Sequence, residues 1–425
     1  MKVFKSMMIA AVASSIASPV LAETEVVWWD FFAGGDGVRM KSLIDQFNEE
    51  HPDITINGTT SEWGVPFYTK VRTAAAVGQG PDVVTYHLSR LPRALSEGVL
   101  TPINDSDLET VGLSRGDFFE RASKAASDED GTLYAVPFDI HSVVLYYNKS
   151  YLEGTEYLDD DGELTGIESL NDFNNALKVA QDNGAQPPLS YQTGGPGGVW
   201  RMFYTLLSQQ GGAFIENGEV LPGENFDKAV QAIEIMQDWG DKGYQPENAE
   251  YEASVALFTS GKSAFQINGV WEVPTMTDME KAGTLGFEWG AVQVPTLLDE
   301  EAVWADSHAF AIPIQGDEEM SEEKREAVMT VIAWMEKHAI SWARAGHIPA
   351  YTPVAESDEF RQMEPNATYS SLVDIAAYDP RSTIAGVASP VYDAALNNIA
   401  PAIHGFLSPE QAAEQMKSEL QSLRD

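Results

Sequence analysis

Asp139, His141 and Ser142 interrupt an otherwise apolar stretch, Gly131–Lys149, that reads GTLYAVPFDIHSVVLYYNK. Val143–Tyr147 within it has the composition of a strand buried on both faces. A carboxylate, an imidazole and a hydroxyl inside such a run do not serve packing alone. The expectation is that the chain crosses there between two lobes, beside a ligand cleft. A second group, Asp306, Ser307 and His308, sits in the extended segment Trp304–Ile312. An Asp-x-His pair is capable of metal ligation, and His141 would add a third donor. Three scattered ligands do not define a metal site, and neither a metal nor a cofactor is expected. Tyr86 and His87 end the strand Asp82–Tyr86, where open α/β sheets bind ligands. Gly194–Gly198, with Gly195 at its centre, precedes Trp200 and Arg201. It would offer backbone amides at a helix start, but it lacks the Lys-Ser/Thr ending of a nucleotide loop.

The elements that must position these groups alternate. Val26–Trp29 reads as a strand and Val38–Glu50 as a helix with Leu43, Ile44 and Phe47 on its apolar stripe. Ile54–Ile56 and Asp82–Tyr86 are further strands, with a helix over Phe67–Val77 between them. This order predicts a mostly parallel sheet flanked by helices. A second α/β region follows Lys149, with helices expected at Val199–Gly211, Phe226–Gly240, Glu322–His338 and Ser389–Ile399, and an amphipathic helix after Pro409. No low-complexity linker separates the two regions, so ordered strands must join them.

The chain has 425 residues, no cysteine and a formal charge of −39. The missing cysteine excludes thiol catalysis, Cys-zinc sites and a lipid-anchored N-terminus. The acidic excess disfavours nucleic acid and anionic membranes. Lys2 and Lys5, the apolar Met7–Ile16 and the small residues to Ala22 read as a secretory signal over residues 1–22. A freely diffusing periplasmic monomer is expected. No Gly-x-Ser-x-Gly elbow or His-Glu-x-x-His helix is present; the enzyme alternative is an exported hydrolase, for instance a glycosidase using two carboxylates.

Several motifs occur in one order. Gly78–Val84, Gly98–Pro102, Gly131–Lys149, Gly261–Trp271 and His308–Pro313 together resemble the extracellular solute-binding proteins of carbohydrate ABC importers. That resemblance implies two α/β lobes joined by hinge strands, with sugar in the cleft and a membrane permease as partner. The N-terminal lobe would comprise 23–140 plus about 306–350, and the C-terminal lobe 141–305 plus about 351–425. It also implies that Trp63, Trp271, Glu272 and Tyr351 line the cleft. Aligned on Tyr147-Asn148-Lys149, His141 falls where a maltose-binding relative carries a sugar-binding carboxylate. A glycerol phosphate or other small anion is the alternative ligand, and it would need Arg201 or Arg381 in the cleft.

Overall fold

The computed structural model describes residues 23–424. The signal reading of 1–22 lies outside the described residues. Two hydrophobic cores organise the chain. One gathers Val26, Trp28, Phe47, Val71, Val84, Phe138, Phe310, Ile332 and Trp342. The other gathers Val144, Tyr146, Trp200, Phe203, Trp239, Phe265, Trp304, Tyr392 and Met416.

The first core backs a five-stranded sheet in the order Ile54–Thr60, Thr24–Asp30, Val83–His87, His308–Ala311, Ala135–Pro137. The first three strands run parallel, and His308–Ala311 is antiparallel to Val83–His87. Helices Gly34–Glu50, Val65–Ala76 and Glu322–Lys337 accompany it. The last is capped by Ser321, whose hydroxyl accepts from the Lys324 amide. Helix Gly34–Glu50 begins four residues before the expected Val38. Its first turn therefore carries Asp36 toward the interior of the molecule.

The second sheet is built on the long strand Asp139–Asn148, buried at every position. It pairs with Phe265–Gly269, Trp289–Gln293 and Val303–Asp306. Ala376–Tyr378 lies parallel to Val303–Asp306 at one edge. The helix expected over Ser389–Ile399 is instead Pro390–Ala394, a π turn at Ala395–Ile399, and Ala400–Ile403. Pro401 has no N–H with which to close an ordinary turn onto residue 397, so the ladder widens there.

Three segments pass between the two cores, around Asp139–His141, Asp306–His308 and Ile348–Ala350. They lie side by side. Asp306 pairs with His141, Ile348 with Ile140 and Pro349 with Asp139. Residues more than 160 positions apart are thereby set into one cross-section of the molecule. The lobes also touch away from these crossings. Arg39 Nη2 lies 3.7 Å from Asp278 Oδ1, and Arg90 Nη1 donates to the carbonyls of Val387 and Ala388 at 3.1 and 2.8 Å.

Candidate functional site

Asp139 is the hub of the crossing segments. Its Oδ1 accepts from His141 Nδ1 at 2.9 Å and from the His308 amide at 3.0 Å. Its Oδ2 accepts from His308 Nδ1 and Trp342 Nε1, both at 2.7 Å. Four donors fill the in-plane lone pairs of both oxygens, so none is left for a ligand hydroxyl. Burial alone would raise this carboxyl, but the imidazoles of His308 and His347 and the hydrogen bond from His141 hold it well below the usual range. Burial, with His308 beside it, lowers His141 to about 3.

His87 stacks on Phe31 with ring centroids 4.6 Å apart, lies 4.8 Å from the His308 ring, and hydrogen-bonds with the Tyr68 hydroxyl at 2.5 Å. Burial, reinforced by His308 and His141, pushes its pKa well below the ordinary value. Asp306 turns the other way. Its carboxylate accepts from the Ser89 amide and hydroxyl at 3.0 and 2.5 Å, and burial raises it to about 7.

The C-terminal lobe contributes a cation beside two indoles that meet edge to face. The Arg201 guanidinium carbon lies 4.8 Å from the Trp271 ring and 4.6 Å from that of Trp304. Trp271 Nε1 donates to the Tyr251 hydroxyl at 2.8 Å, and that hydroxyl donates to Glu272. Burial raises Glu272, against the lowering effect of the Tyr251 hydrogen bond. Trp304 and Trp200 both donate their indole N–H to Asp379 Oδ1, at 3.0 and 2.7 Å. A cavity lined by Val143, Gln192, Arg201, Tyr251 and Asn268 opens beside this stack. Across from it, Trp63 remains 43% exposed, with its ring edge-on to His87 at 6.4 Å.

Of the residues singled out in the sequence, Asp139, His141, Asp306 and His308 meet at the crossings. Trp63 and Trp271 with Glu272 approach that cluster from opposite lobes. Tyr86 does not join them. Alternation along its strand turns it into the first core against Tyr68, while the adjacent His87 faces the cluster. The Gly195 turn is occupied by the Gln192 side chain, whose Oε1 accepts the Gly198 amide at 3.0 Å. Tyr351 packs against Phe118, away from the cluster. Arg381 also lies apart, donating to the carbonyls of Lys124 and Ser127 at 3.1 and 2.5 Å. Residues that the sequence did not single out include Asp36, Tyr68, Tyr251, Trp342 and His347. Their signal was present only in part: His347 sits in Gly346–Tyr351, a segment whose Gly346 and Pro349 read as a turn.

Comparison with known proteins gives one family. The family described as bacterial extracellular solute-binding protein matches residues 34–339. A maltotriose-binding protein of Pyrococcus abyssi is 21% identical over 285 residues, covering 66% of this chain and 56% of that protein. An arabinooligosaccharide-binding protein of Halalkalibacterium halodurans is 28% identical over 245 residues, 56% of this chain and 50% of that one. The chain thus spans about half the length of these relatives. Among solved structures, the GacH receptor of Streptomyces glaucescens superposes with a TM-score of 0.77 at 20% identity, covering 94% of this chain and 98% of that one. That likeness establishes the two-lobed fold.

Proposed function

The chain belongs to the bacterial extracellular solute-binding protein family, and from that membership we propose that it is the periplasmic carbohydrate-binding component of an ABC importer. In this reading residues 1–22 are removed on export. The lobes close on a mono- to oligosaccharide, and a membrane permease recognises the closed monomer. The protein performs no chemistry on its cargo. No helix among the described residues is long and apolar enough to cross a membrane.

The observation that carries this reading is the meeting of flat and planar groups from both lobes. Trp63 comes from one, and Trp271, Arg201 and Glu272 from the other. Indole faces match the C–H faces of a pyranose, while guanidinium and carboxylate groups match paired hydroxyls. A ligand held by both lobes binds the closed state better than the open one, and so shifts the hinge equilibrium. The oligosaccharide-binding names of the relatives support the same ligand class. A small phosphorylated polyol is the second reading. It draws on Arg201 alone, because Arg381 spends its donors on carbonyls elsewhere.

Mass spectrometry of small molecules carried through native purification tests the proposal, followed by calorimetry against the sugar identified. Binding of that sugar, with a decrease in radius of gyration by scattering, is the expected result. No binding across sugars and polyols, or release of hydrolysed oligosaccharide by the pure protein, would overturn it.

A further inference from the structure

His347 faces Asp139 with the wrong polarity for a simple hydrogen-bonded core. Its Nε2 lies 3.2 Å from Asp36 Oδ2, so the ring's N–H belongs on that nitrogen. Its Nδ1 then carries a lone pair, fully buried and without a hydrogen-bond partner. That lone pair lies 3.4 Å from Asp139 Oδ2, itself an acceptor. Two such groups facing each other in a buried site require a positive charge, either a second proton on His347 or a bound cation.

The neighbouring donors complete a coordination set. His141 Nδ1 and His308 Nδ1 lie 2.9 and 2.7 Å from the same carboxylate. One ligand atom from each of Asp139, His141, His308 and His347 falls within 4.8 Å of every other. We infer that these four residues form a divalent transition-metal site at the junction of the three crossing segments. Three imidazoles and one carboxylate suit Zn²⁺, Co²⁺ or Ni²⁺, whereas Mg²⁺ and Ca²⁺ demand oxygen ligands.

The proton balance closes without a co-reactant. In the metal-free protein His141 and His308 donate Nδ1–H to Asp139. On metal entry each ring moves that proton to Nε2 and turns its Nδ1 lone pair to the ion. His347 needs no change of tautomer, because Asp36 already holds its Nε2 proton. Asp36 thus acts as the outer carboxylate that orients a metal-bound imidazole. A second grouping, His87, His141 and Asp306, shares His141 but contains no comparably aimed lone pair. The four-residue set is therefore the one assigned. It adjoins the Trp63–Trp271 cleft, since the His141 ring lies 5.8 Å from that of Trp271, but its titration with metal alone requires no knowledge of the solute.

The test uses the mature chain without a polyhistidine tag, stripped with EDTA and titrated with Co²⁺ and then Zn²⁺. The expected result is one equivalent of Co²⁺ with the visible absorption of a four-coordinate, nitrogen-rich site, bleached by Zn²⁺. His347→Gln and His308→Gln, checked for folding by circular dichroism, should each abolish that band. Asp36→Asn should weaken the metal by about 10- to 100-fold. His404→Gln, in a remote helix turn, should leave binding unchanged. Absence of stoichiometric Co²⁺ or Zn²⁺ binding by the unmodified protein would overturn the assignment, even if the variants misfold. So would unchanged binding by a folded His347→Gln protein. In either case a doubly protonated His347 would supply the charge instead.

Discussion

Gly35 and Pro274 meet across the lobes so closely that a Cβ on Gly35 would lie 2.4 Å from Pro274 Cβ. Gly35 sits in the first turn of the helix Gly34–Glu50 of one lobe, and Pro274 begins the helix Val273–Lys281 of the other. Arg39 and Asp278 face each other one turn further along, so the two helices meet at more than one point.

Gly35→Ala should therefore weaken ligand binding without weakening the fold. Alanine is favoured over glycine in a helix by about 1 kcal/mol, so the open protein gains if anything. The added methyl obstructs only closure. Calorimetry should show an affinity lower by about tenfold, which is about 1.4 kcal/mol, with an unchanged or higher melting temperature. Unchanged affinity would mean that the lobes do not need this contact to trap their ligand.

Arg201 separates the two ligand readings. The Arg201 guanidinium contacts both Trp271 and Trp304, whose rings stand edge to face at 86°, so it can lie flat on only one of them, where its planarity counts as well as its charge. Arg201→Lys keeps the charge and loses the plane. If the ligand is a neutral sugar held on an ordered Trp271, both Arg201→Lys and Arg201→Met should lower affinity by about tenfold, since cation–π contacts contribute about 0.5–2 kcal/mol. Recovery of affinity in the lysine variant alone would favour an anionic ligand.

Trp63 gives the complementary measurement from the opposite lobe. At 43% exposure more than half of its surface is still covered, and Trp63→Ala should lower stability by about 1–3 kcal/mol. A ring that closes over a sugar face should also cost affinity when removed, by a factor of about ten. Equal binding by the variant and the parent would take Trp63 out of the cleft.

How much of this was legible in the sequence depended on whether a residue broke its local pattern. Asp139 and His141 stood out because they interrupt a run buried at all ten positions of one strand. Asp306 and His308 stood out for the same reason in the return strand. His347 did not, because its segment reads as a turn, and turns carry polar residues without consequence. Its importance comes from Asp36, 311 residues away, which helix Gly34–Glu50 brings up only by starting earlier than its apolar stripe suggests. Trp342 is a similar case, since its indole N–H is committed to Asp139 over 203 residues. The choice between Tyr86 and His87 was a matter of strand register. Pairing of His87 with His308 decides it, and pairing is a tertiary fact.

Glu336 offers a stability test outside the cleft. It lies in helix Glu322–Lys337, fully buried, and neither carboxylate oxygen has a hydrogen-bond partner. Burial holds its carboxyl well above the ordinary value of 4.5, and the negative charge of Asp139 adds to that effect. Tyr351 is the other titratable group coupled to it. The native state therefore keeps a proton that the unfolded chain releases above about pH 4.5. Its contribution to stability must fall as pH rises from there through the raised native value. Glu336→Met has similar volume and nothing to ionise. Its urea midpoint should sit near that of the parent at pH 4.5 and move above it by pH 8. A midpoint difference that stays constant across that range would show that Glu336 is solvated or paired in the native protein.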